Sequence, residues 1–145
     1  MLLTLVNTNS SCAALSGYAI YRGRDFRLSR TVWRGVRVRD LLTAAGVHEE
    51  GTHLMGHAEF GYTANIPLDD ATRDEALVVW EFDNQPIEPI HGGPVRLLIP
   101  NLYFWKSPKW LRGLEVMNAD KPGFWERNGY HMYGDPFLEQ RHWGD

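Results

Sequence analysis

Two short stretches gather residues that could hold an anion. His91-Gly92-Gly93-Pro94-Val95-Arg96 sets an imidazole five residues before a guanidinium. The glycines between them let the backbone approach a ligand closely, and the proline fixes the loop. If the two side chains converge, Arg96 supplies a planar fork that suits phosphate. The same residues also fit a plain turn carrying a surface histidine and a salt-bridged arginine. The second stretch, Tyr103-Phe104-Trp105-Lys106-Ser107-Pro108-Lys109-Trp110, places two lysines and a serine inside an aromatic shell. Ammonium groups in such a sheltered place bind an anionic group more strongly than the same charges in water. Lysines that snorkel beside core aromatics are the alternative.

Other constellations are weaker. Seven arginines (Arg22, Arg24, Arg27, Arg30, Arg34, Arg37 and Arg39) lie between Tyr21 and Arg39 against the single acid Asp25. That run suits an anion or a solvated face equally. His53 and His57, four apart, are a conceivable metal pair, but no third ligand stands in a recognisable spacing. His48, His131 and His142 read as surface, and Met55, Met117 and Met132 as core filling. The sequence has no Gly-x-Gly-x-x-Gly, phosphate-binding Walker loop, Gly-x-Ser-x-Gly or His-Glu-x-x-His, which removes several common enzyme classes.

The elements that must position these residues are short. Val38, Leu41, Leu42 and Ala45 recur at helical spacing before Gly46, which predicts one amphipathic helix with a glycine stop. Tyr62, Ala64, Ile66 and Leu68 alternate as one face of a strand that Pro67 pushes towards a sheet edge. Asp69 or Asp70 could cap a helical turn running towards Ala76. Leu77–Phe82 reads as a strand ending in the turn Asp83-Asn84-Gln85-Pro86, and Val95–Ile99 as a strand fenced by prolines. Trp110, Arg112, Leu114 and Val116 predict a further alternating strand. Asp120 and Pro122 predict a short helix stopped by Gly129, after which the chain is expected to wrap over the body. Strands outnumber helices without regular alternation. The fold class is therefore α+β, with a mixed, mainly antiparallel sheet and a few short helices. Residues 1–27 read as a divergent N-terminal segment and residues 28–145 as the domain proper.

Composition is consistent with this. The chain has 145 residues, 43% hydrophobic and 23% charged, with a net charge of −3. That balance excludes wholesale disorder, and nucleic acid is not suggested as a partner. No apolar run approaches the roughly 18 residues needed to span a bilayer, and Met1–Val6 lacks the features of a signal peptide, so a cytoplasmic location is expected. Cys12 is the only cysteine, which leaves neither an internal disulfide nor a Cys-rich zinc site.

Taken in order, Trp33-Arg34-Gly35-Val36, Asp40-Leu41-Leu42, Gly61-Tyr62-Thr63, the His91–Arg96 stretch and Lys106-Ser107-Pro108-Lys109-Trp110 resemble one family. It is the sulfite-oxidase-like family of molybdopterin-binding oxidoreductases. The closing segments Pro122–Glu126, Asn128-Gly129-Tyr130, Gly134-Asp135-Pro136 and Glu139-Gln140-Arg141 look like its small bacterial branch. The resemblance implies a molybdenum ion carried on molybdopterin and two-electron oxygen-atom transfer. Sulfite going to sulfate, or the reverse with a sulfoxide, is the kind of reaction implied. It implies that His91 and Arg96 contact the pterin and its phosphate, that Ser107, Pro108 and Lys109 supply further donors, and that Tyr130 is the substrate-side phenol. The implied partners are a small oxyanion or sulfur-oxide substrate and a separate electron-transfer protein. The family places a cysteine thiolate on molybdenum, about eleven residues before the tryptophan matching Trp33. Arg22 stands there in this chain, and Cys12 lies ten positions earlier. Arginine is always protonated and cannot replace a soft thiolate. Two other readings therefore stay open: a shortened or degenerate member without bound molybdenum, and a non-catalytic module that holds another anion or phosphate.

Overall fold

The computed structural model describes residues 2–4, 15–22, 28–47 and 51–145. Among the described residues, nine strands form two antiparallel sheets. The first sheet holds β1 (Leu2–Thr4), β9 (Leu111–Met117), β4 (His53–Ala58) and β5 (Thr63–Pro67), in that order. The second runs β2 (Leu15–Arg22), β3 (Leu28–Arg37), β6 (Leu77–Phe82), β7 (Gln85–Pro86), and β8 (Arg96–Leu98) also pairs with β6. The α-helices among the described residues are short: α1 (Val38–Ala44), α2 (Leu68–Ala71) and α3 (Phe124–Arg127). Every pairing between these strands is antiparallel. The α+β architecture is the one the sequence pattern predicts.

Side-chain phase explains the layering. Leu54, Ala64, Ile66 and Leu114 from the first sheet meet Val36, Val78 and Leu97 from the second, with Val38 and Leu42 of α1, in one buried cluster between the sheets. The opposite phase of the second sheet buries Trp33, Leu77, Val79, Ile87 and Leu98 in a smaller cluster. Both faces of β6 are thus apolar, which is why it reads as an unbroken hydrophobic run. Tyr62, Ala64, Ile66 and Leu68 all contribute to the main core, and β5 lies at a sheet edge where Pro67 costs no internal ladder bond. Gly46, at φ +68°, ends α1 as the pattern requires. Asp83 and Asn84, at φ 46° and 61°, form the tight turn into β7.

One alternation does not persist through its strand. On β9, Leu111 rather than Arg112 reaches the core, because the pairing with β4 shifts between His57 and Ala58. Gly113 opposes His57 and Leu111 opposes Ala58, so Arg112 is the extra residue of a β-bulge. It stands exposed and pairs with Glu59. Arg34, Arg37 and Arg39 of the arginine-rich run are likewise solvent-facing and paired with acids. Arg34 pairs with Glu81 at 2.8 Å, and Arg39 pairs with Asp74 at 2.5 Å.

Candidate functional site

The β4–β5 turn, β8 and the loop that leads into β9 enclose a cavity of about 410 Å³. Its lining includes Phe60, Tyr62, Phe104, Trp105, Trp110 and Phe124, with Arg96, Ser107, Pro108 and Lys109 among the remainder. Aromatic walls with a few convergent polar groups are what a flat, charged organic ligand needs, and the volume is in the usual range of roughly 300–1,000 Å³.

Arg96 is the centre of the polar side. It lies on β8, with only 3% of its surface exposed. Nη1 donates to the His91 carbonyl at 2.9 Å and Nη2 to the Ser107 carbonyl at 3.2 Å. Its guanidinium carbon sits 5.0 Å from the Phe104 ring centre and 6.0 Å from that of Trp33. The fork therefore ties the two stretches singled out in the sequence to each other. Gly92 makes this approach possible: at φ +101°, an added Cβ would stand 2.7 Å from the Cβ of Lys109. Lys109 closes the junction by donating from Nζ to the Ile90 carbonyl at 3.1 Å.

The other expected site residues are distributed as follows. Ser107 is buried, with its Oγ accepting from the Ile99 amide at 2.9 Å and its own amide donating to the Phe104 carbonyl at 3.0 Å. Pro108 packs under Gly56 of β4, where a Cβ would come within 3.0 Å of the proline ring. The His91 imidazole is exposed and is not part of the cavity lining; the residue reaches the site through its carbonyl. Tyr130 does not line the cavity either. Its ring is 4.9 Å from Trp105, edge-on, 4.8 Å from Trp125 and 5.4 Å from His142. Cys12 lies outside the described residues, and Arg22 is the last residue of β2, opposite Leu28. His53 and His57 separate onto different acids, Asp120 at 3.6 Å and Glu115 at 2.8 Å. Among the described residues no group of three or more His, Cys, Asp or Glu is arranged to hold a metal ion.

Sequence reasoning named two residues without finding the parts they play, Tyr62 as a strand position and Lys106 as one of two anion-holding or snorkelling lysines. Tyr62 lines the cavity and donates its hydroxyl to the Trp105 carbonyl at 2.6 Å. Burial, with a smaller contribution from Glu126, holds the Tyr62 phenol above the ordinary tyrosine range, so it remains a protonated donor. Behind Trp105, Lys106 is fully buried and pairs with Glu126 at 2.6 Å. A polar residue flanked by Ala64 and Ile66, namely Asn65, was the available hint: its side chain accepts from Lys106 at 2.8 Å.

The cavity is thus walled mainly by aromatic rings, with Arg96 and Lys109 as its cations and Glu59 as its acid. Comparison with known proteins assigns the family. The profile described as "Oxidoreductase molybdopterin binding domain" matches residues 7–125. The chain therefore belongs to the sulfite-oxidase-like family of molybdopterin-binding oxidoreductases, whose cofactor is molybdopterin. It is 51% identical over 110 residues to the uncharacterized oxidoreductase YuiH of Bacillus subtilis (strain 168), covering 76% of this chain and 56% of that protein. It is 31% identical over 122 residues to the mitochondrial sulfite oxidase of Homo sapiens, covering 75% of this chain and 22% of that one. The crystal structure of the sulfane dehydrogenase SoxCD from Paracoccus pantotrophus shares the fold, with a TM-score of 0.62 at 22% identity over 88% of this chain and 34% of that one. The chain thus spans about half the length of YuiH and a smaller share of the other two. No helix among the described residues is long and apolar enough to cross a membrane.

Proposed function

We propose that this chain binds molybdopterin in the cavity beside Arg96 and serves an oxidoreductase that transfers an oxygen atom to or from a small oxyanion or sulfur oxide. The carrying observation is Arg96 itself, a buried cation in a cavity wall, held by two backbone carbonyls. A guanidinium kept out of water interacts strongly with a phosphate, and the two carbonyls fix its place in the wall. Aromatic walls suit the flat pterin, and Lys109 adds a second cation. These residues fit the organic part of the cofactor. Arg96 and Lys109 would hold its phosphate end, Ser107 and Pro108 would shape the wall, and His91 would hold Arg96 through its carbonyl. When bound, the molybdenum cofactor supplies two-electron oxygen-atom transfer. A soft donor for the metal would have to be Cys12, the only thiol in the sequence.

The substrate end is assigned to the side of Trp105 where Tyr130 packs, a phenol able to hold a proton towards a bound oxyanion. Electrons are exchanged with a separate protein. The test is the molybdenum-to-protein ratio, with pterin release, on chain purified from a molybdenum-replete bacterial host. The expected ratio is about one, falling sharply in Arg96→Met. A folded protein with neither metal nor pterin overturns the proposal and leaves the non-catalytic anion-binding reading, which saturable stabilisation by inorganic phosphate would then support.

A further inference from the structure

Lys106 and Glu126 make an ion pair with 0% and 1% of their side chains exposed. Lys106 Nζ donates to Asn65 Oδ1 at 2.8 Å, to the Asn65 carbonyl at 3.0 Å and to the Met132 carbonyl at 2.6 Å, besides meeting Glu126 Oε1. Glu126 Oε1 also accepts from Trp105 Nε1 at 3.0 Å, while its Oε2 is buried without a hydrogen-bond partner among the described residues. A pair in such a place is a poor device for stability. Removing both charges from water cancels most of their attraction, and an unpartnered carboxylate oxygen adds cost. Two apolar side chains of similar volume would hold these segments together as well or better.

What apolar packing does not do is fix directions. The ammonium and the carboxylate define, by hydrogen bonds, where the Trp105 indole, the Met132 backbone and β5 stand relative to each other. Tyr130 lies between Glu126 and Met132 in the chain, and its ring packs edge-on against Trp105. Both flanks of Tyr130 are therefore anchored to the residue that begins the Lys106–Lys109 wall. We propose that Lys106 and Glu126 are positioning residues whose buried pair sets the Tyr130 phenol against the cofactor wall. The functional meaning of that placement rests on the cavity being the molybdopterin site.

The test compares the full chain with Glu126→Gln and with the double variant Lys106→Met/Glu126→Leu. Two quantities are read on each: the urea unfolding midpoint, and the near-ultraviolet circular dichroism contributed by Tyr130 in its contact with Trp105 and Trp125, defined by subtracting the spectrum of the same chain carrying Tyr130→Phe. The double variant is expected to unfold at or above the original midpoint yet to lose that contact signal. With sulfite as probe substrate on cofactor-loaded protein, kcat should fall by about tenfold or more at little change in KM, as displaced catalytic groups do. Recovery of both midpoint and contact signal in the double variant overturns the proposal. If that variant does not fold, Glu126→Gln decides. It keeps an oxygen for Trp105 but removes the charge, so an unchanged contact signal overturns the proposal and a lost one supports it. The spectroscopic readout needs no cofactor, so a chain that carries no pterin defeats the cavity assignment while the positioning role is still decided.

Discussion

At the scale of single residues, the site depends on groups whose protonation and reach are set by burial. Tyr62 shows this. Burial holds its phenol above the ordinary tyrosine value of 10.0 in the folded chain. In the unfolded chain the phenol ionises at that ordinary value, so above it the unfolded state has released a proton that the folded state retains. The stabilisation is complete below pH 10 and declines as pH rises further. Unfolding midpoints measured from pH 8 to pH 11 should therefore fall steeply for the wild type and less steeply for Tyr62→Phe. At neutral pH the variant should be less stable by about 1 kcal/mol for the lost bond to the Trp105 carbonyl. Parallel pH profiles would show that Tyr62 does not titrate this way. Arg96 poses the complementary case, because its contribution is geometric as well as electrostatic. Arg96→Lys keeps the charge but cannot bridge the His91 and Ser107 carbonyls as a fork. It should lower the urea midpoint by the equivalent of about 1–3 kcal/mol and reduce bound pterin. A lysine variant with wild-type stability and pterin content would show that charge alone suffices.

At the scale of elements, the junction between the turn around Gly92 and the loop at Lys109 is where local conformation becomes site geometry. Gly92→Ala introduces strain at φ +101° and a contact at 3.0 Å with the Lys109 Cα. The expected cost is about 2–5 kcal/mol, the sum of left-handed strain and overpacking. Gly46→Ala is the control, since Gly46 also has a positive φ but nothing within 4 Å of its Cβ. It should cost only about 1–2 kcal/mol, and equal losses at the two positions would show that the close approach at Lys109 contributes nothing. The elements themselves were largely legible in the sequence. The Val38–Ala45 periodicity, the alternation from Tyr62 to Leu68 and the Asp83-Asn84 turn are local signals, and each matches an observed element. What could not be read was non-local. Whether Leu111 or Arg112 faces inward depends on a bulge created by pairing with β4, 53 residues away at the Glu59–Arg112 contact. Which lysine of Lys106 and Lys109 is buried depends on a glutamate 20 positions further on. The two cation-bearing stretches were visible as candidates, but that Arg96 joins them through backbone carbonyls required the fold.

At the scale of the whole molecule, the inner face of the first sheet and the β5 end of its outer face are both covered, and the two coverings differ in kind. Its inner face packs apolar side chains against the second sheet. Its outer face presents Asn65, which is closed over by Asp120, Met132 and Lys106. The C-terminal segment therefore covers this end with polar contacts as well as aromatic ones, Phe124 meeting Tyr62 and Tyr130 meeting Trp105. It is further tied down where the Tyr103 amide donates to the Gly134 carbonyl at 2.9 Å and Arg141 Nε to the Tyr103 hydroxyl at 2.9 Å. Removing this segment takes Tyr133 from the core and strips Lys106 of Glu126 and of the Met132 carbonyl. A chain ending at Asn118 should lose about 3–5 kcal/mol or more, the typical cost of leaving one member of a buried ion pair uncompensated. That is a large share of a stability of roughly 5–15 kcal/mol. Adding Lys106→Met to the shortened chain should recover part of the loss, because it removes the stranded charge. Urea unfolding of the two shortened chains distinguishes the causes. Recovery on removing Lys106 assigns the loss to the charge, whereas equal instability with and without it assigns the loss to the apolar and backbone contacts of the cover.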